Sequence, residues 1–131
     1  MKLEYIADNT ASGKYPDAWP TKLIRLFDFD ESQNQQLIEL LTERLLRQRL
    51  EVELAEVSFI SAVNCRLLLR LSDIDKGISE INGQNSFACD LTEITYLAAI
   101  ANMHDVGEGH NWLDDASSEG IEFLYSAGGT W

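Results

Sequence analysis

The chain has 131 residues, 45% hydrophobic and 24% charged, with 22 acids against ten bases and a formal net charge of −12. Such a chain fits one ordinary domain over residues 1–131 and is not disordered, collagen-like or disulfide-stapled. A surface this acidic repels nucleic acid and anionic lipid, which both need positive charge facing them, so neither is an expected partner.

Residues 3–7 read as a short strand. Residues 8–22 are a loop punctuated by Asn9, Ser12, Gly13, Pro16 and Pro20, with Tyr15 and Trp19 available to tack it to the body. Residues 23–29 form a second strand with Leu23, Arg25, Phe27 and Phe29 on one side; Arg25 breaks the apolar alternation, so that face is expected to be only partly buried. Asp30 and Gln33 then make a capping box that opens a helix over 31–48. Its apolar stripe is Leu37, Ile38, Leu40, Leu41 and Leu45, and Glu43 with Arg47 is a favourable i,i+4 pair.

From residue 51 the period changes to two. Val57, Phe59, Val63, Cys65, Leu67, Leu69 and Leu71 share one parity, whereas Leu50, Val52 and Leu54 hold the other. A hairpin with strands near 52–60 and 65–72 accounts for this if a bulge sits at Ala55-Glu56; one long bent strand is the alternative. Residues 73–85 read as a turn-rich connection. Ser86 to Leu91 is a strand with Phe87, Cys89 and Leu91 inward. Thr92 or Asp90 caps a second helix, which Gly107 or Gly109 ends. Its expected core stripe is Ile94, Leu97, Ala98, Ala101 and Met103. Residues 104–120 read as an irregular acidic loop, and Ile121 to Ser126 as a last strand. The expected fold is α+β: an antiparallel or mixed sheet of about five to six strands with two helices packed on one face.

The start of the chain, Met1-Lys2-Leu3-Glu4-Tyr5, lacks the apolar stretch of a signal peptide, and no run is long enough for a transmembrane helix. Cys65 and Cys89 form no CxxC pair. The expectation is a cytoplasmic protein, without a membrane partner, holding two buried thiols. Asp73-Ile74-Asp75-Lys76-Gly77 resembles a calcium loop only faintly, because Gly falls one position early and Gln84 stands where the bidentate Glu belongs. No glycine-rich phosphate loop, nucleophile elbow or other cofactor motif is present, so no cofactor is expected.

Charge is distributed unevenly. Residues 1–76 hold all ten bases and 13 acids, whereas residues 77–131 hold nine acids and no Lys or Arg. Five of those nine acids lie within 104–120, beside Trp112 and Leu113. An aromatic anchor ringed by acids is the composition of a surface that binds a basic protein. The expected partner-binding residues are Asp105, Glu108, Trp112, Leu113, Asp114 and Asp115, in a non-enzymatic inhibitor or immunity-type protein. A competing reading makes Trp112 and Leu113 plugs for their own loop. Another makes the chain a small enzyme or a ligand- or metal-binding domain that uses His104, His110 and the neighbouring carboxylates; His-x5-His does not set both imidazoles on one helix face, so no metal ligands are assigned. An edge at the C-terminal strand leaves a homodimer open.

Overall fold

A computed structural model describes residues 1–6, 22–105, 110–114 and 119–128, with only the backbone described at 110–114. The expected loop with Tyr15 and Trp19 lies outside the described residues, as do Gly107 and Gly109.

The elements run β1 (Lys2–Ile6), β2 (Lys22–Phe27), α1 (Glu31–Leu40, continued by a π-helical stretch Leu41–Arg47), β3 (Val52–Glu53), β4 (Ser61–Ala62), β5 (Arg66–Leu71), β6 (Gly77–Glu80), β7 (Ser86–Leu91), α2 (Glu93–His104), β8 (His110–Asp114) and β9 (Ile121–Ser126). The fold is α+β, as expected, but the strands make two mixed sheets. One has the order β4-β1-β2-β9-β8 and the other β3-β5-β7-β6. In each, the two strands most central to the core pair in parallel: β2 with β9, and β5 with β7.

The split arises between residues 52 and 66. The expected hairpin partner is present, since Val52 lies opposite Leu69, but β3 stops after two residues. A 3-10 turn over Leu54–Glu56 replaces the expected bulge. The chain then crosses to β1, where Ser61 N donates to Met1 O and Val63 N to Leu3 O. Asn64 extends that pairing with its side chain, accepting from Tyr5 N and donating to Tyr5 O, both at 2.8 Å. A side-chain amide thus imitates one more strand residue.

Two further strands lie where loops were expected. β6 pairs antiparallel with β7 within 73–85, and β8 pairs antiparallel with β9 within 104–120, with a register shift between Trp112 and Asp114. The β6–β7 turn needs left-handed backbone at Gly83, Gln84 and Asn85, with φ of 66°, 56° and 59°.

One apolar cluster joins both sheets and both helices. Leu3, Ile24, Leu26 and Phe123 come from the first sheet, Leu67, Leu69, Phe87 and Cys89 from the second, and Leu37, Leu41, Tyr96 and Met103 from the helices. The capping box at Asp30 is formed in both directions, Gln33 N donating to Asp30 and Asp30 N to Gln33. The π-helical stretch then widens the spacing, so that Leu45 and Leu46 both turn inward after Leu37 and Leu41. The Glu43–Arg47 pair forms at 3.1 Å, but both ends are exposed and it stabilises little.

The second face of β2 is also covered. Leu23 and Leu124 are fully buried, and Arg25, expected on a partly buried face, is only 5% exposed. Arg25 lies opposite Glu4 across the β1–β2 pair, with its nitrogens 2.7 and 2.9 Å from Glu4 Oε1, and it stacks over Phe27 at 3.8 Å. Burial of this guanidinium is sustained by charge pairing and an aromatic face.

Candidate interaction surface

α2 is the element whose orientation matters most. Thr92 caps it, accepting from Thr95 N at 3.3 Å. Asp75 reinforces the cap from outside, accepting from Thr92 N and Thr95 Oγ1, each at 2.8 Å. These bonds hold the Asp75 carboxyl below the usual carboxylate range. The segment with a calcium-loop look is therefore a helix cap. Asp90, the other expected cap, instead takes both guanidinium arms of Arg70 at 2.7 and 2.8 Å.

Two apolar stripes run along α2 at the same helical spacing. Tyr96, Ala99, Ile100 and Met103 form one; Ile94, Leu97, Ala98 and Ala101 form the other. At about 100° per residue the two face nearly opposite ways. Tyr96 selects the inward one. Its ring is buried, and its hydroxyl donates to Cys89 O at 2.6 Å while accepting from Arg70 N at 3.1 Å. One phenol thereby links α2 to both central strands of the second sheet. The expected stripe is consequently reversed: of its five residues only Met103 is buried, whereas Ile94 is 79% and Leu97 53% exposed. Ala98 and Ala101 are exposed with them. Spacing alone allowed both phases, and Tyr96, through its hydroxyl, decides between them.

The outward stripe sits in the segment without bases. Glu93 begins α2 and meets Arg49 at 3.2 Å; exposed His104 and Asp105 end it. Ile74, 62% exposed, adjoins the Asp75 cap. β8 runs beside α2 and carries Trp112, Leu113 and Asp114, placing that part of the expected site next to the helix; the side chains of these three, and Glu108 and Asp115 altogether, lie outside the described residues. His104 and Asp105 are adjacent at the helix end, and the imidazole of His110 lies outside the described residues.

Among the described residues no three His, Cys, Asp or Glu side chains converge to hold a metal. Cys65 is pushed up to about 12 by burial, with the Glu4 and Glu53 carboxylates adding to the effect, which is the opposite of an activated thiol. The core cavity lined by Leu37, Leu69, Tyr96 and Phe123 holds about 20 Å³, room for one water and no ligand. No described helix is long and apolar enough to cross a membrane. Comparison with protein-family models, curated proteins and solved structures found no match.

Proposed function

We propose that this chain works by binding: it docks a basic protein through the outer face of α2, in its acidic C-terminal half, in the manner of an inhibitor or immunity-type protein. The carrying observation is the exposure of Ile94 and Leu97 at 79% and 53% on one helical stripe. With Ala98 and Ala101 exposed on the same stripe, these side chains form a contiguous apolar patch, the kind of surface that supports an interaction reading. Charge selects the partner. Residues 77–131 hold nine acids and no Lys or Arg, so a basic surface is attracted as it approaches and an acidic one is repelled. A second copy brings the same negative face, which disfavours a homodimer through this stripe.

The test is affinity capture from lysate of the source cell, with the wild type and an Ile94→Lys, Leu97→Lys double variant in parallel. The expected result is retention of a basic protein that raised salt releases and that the variant fails to hold. Equal retention by both, or retention of an acidic protein, contradicts the reading. Both positions are exposed, so the substitutions should change stability by no more than about 0.5 kcal/mol each.

A further inference from the structure

A concave surface lies on the other helix. A groove of about 610 Å³ runs between the outer flank of α1 with its π-helical continuation and the chain from Val52 to Phe59. That volume falls in the range of sites for small ligands and peptide side chains, about 300–1,000 Å³. Leu40, Val52, Val57 and Phe59 supply apolar lining.

The groove also carries a defined charge imbalance. Glu39, Glu43, Glu53 and Glu56 line it, with Arg44 as the one base among its lining residues. Arg47 pairs with Glu43, and Arg66 pairs with both Glu53 and Glu56. Of these four carboxylates, Glu39 alone has no guanidinium partner among the described residues. Glu39 receives only the Gln35 amide, at 3.3 Å. Glu53 gives Oε1 to Arg66, while its Oε2 is buried with no hydrogen-bond partner among the protein atoms. That oxygen is closed to solvent, so the open carboxylate of the groove is Glu39. One wall of the groove is the stretch Leu41–Arg47, a wide-turned helix of the kind that recurs at functional sites.

We infer that this groove binds a short peptide segment that sets one apolar side chain on its Leu40–Val57–Phe59 lining and one adjacent Arg or Lys against Glu39. The apolar lining and the Glu39 carboxylate, which has no cationic partner among the described residues, together call for that pair. A nucleic acid or an acidic peptide meets the wrong charge. A purely apolar ligand leaves Glu39 without a cation.

The test is titration of the isotopically labelled full chain, followed by amide chemical shifts, with N-acetyl-leucyl-arginine amide. N-acetyl-leucyl-citrulline amide, nearly the same shape without the charge, is the comparison. The expected result is saturable shifts confined to residues 39–44 and 52–59, with the citrulline peptide weaker by about tenfold. Glu39→Gln, at an exposed position, should weaken the arginine peptide several-fold. Absence of groove shifts, equal binding of the citrulline peptide, or shifts centred on residues 94–101 instead would each overturn the inference. The last outcome would leave the α2 reading standing, and failure of the α2 capture leaves this groove untouched.

Discussion

Replacing Tyr96 with Phe removes one oxygen from the core and leaves the ring volume in place. The hydroxyl bridges Cys89 O and Arg70 N at 2.6 and 3.1 Å from a side chain that is 4% exposed. Without it, a backbone N–H and a backbone C=O lose a partner where water has little access. Each such loss costs about 1–3 kcal/mol, and the carbonyl's second lone pair keeps the sum toward the lower part, about 2–3 kcal/mol. Unfolding entropy near 60 °C is about 2.1 cal/mol/K per residue, or about 0.28 kcal/mol/K over 131 residues. The expected fall in melting temperature is therefore about 7–11 °C, read by calorimetry or circular dichroism. In urea, at a slope of about 1–3 kcal/mol/M, the midpoint should fall by about 0.7–3 M. A loss under about 0.5 kcal/mol, roughly 2 °C, would refute the bridging role, because surface changes are of that size.

Three further outcomes are expected. Leu97→Ala should leave the urea midpoint almost unchanged, whereas Ile100→Ala should cost about 2–5 kcal/mol; equal costs would return Leu97 to the core. Both cysteines are buried, and Cys65 is pushed up to about 12, so a bulky thiol reagent should label them slowly until denaturant is added. Rapid native labelling would contradict their burial. Burial raises Tyr96 and Tyr125 above the ordinary 10.0, so the folded state holds their protons more tightly than the unfolded chain does. Stability is then full below about pH 10 and is lost as pH rises beyond it. Chemical denaturation at rising pH checks this; a stability unchanged well above pH 10 would contradict it.

How much of this was legible in the sequence depended on whether a local pattern had competitors. α1 was legible because one capping box and one leucine stripe agreed. α2 was not, because its residues offer two equal stripes and the choice between them rests on a hydroxyl that reaches into the second sheet. The division into two sheets was hidden for a related reason. β3 and β4 are two residues each, too short for any alternation, and β4 finds its partner nearly sixty positions back in β1. β6 contributes one large apolar residue, Ile78, and owes its place to β7. Arg25 looked like a defect in alternation, and only the register that sets it opposite Glu4 shows why a charge belongs there. For the candidate site, charge asymmetry pointed to the C-terminal half of the chain, and the exposed stripe on α2 became visible only once Tyr96 had fixed the helix phase.

Contact between the outer face of α2 and a basic protein can be trapped by placing a photo-crosslinking phenylalanine derivative at Leu97 and, as a control, at Ile81, which is 41% exposed elsewhere on the surface. After irradiation in the source cell, the crosslinked protein is identified by mass spectrometry. The expected result is a basic protein joined at position 97 and not at 81, with a yield in lysate that falls as salt rises. An acidic partner, equal crosslinking at both positions, or no crosslink at 97 would contradict it.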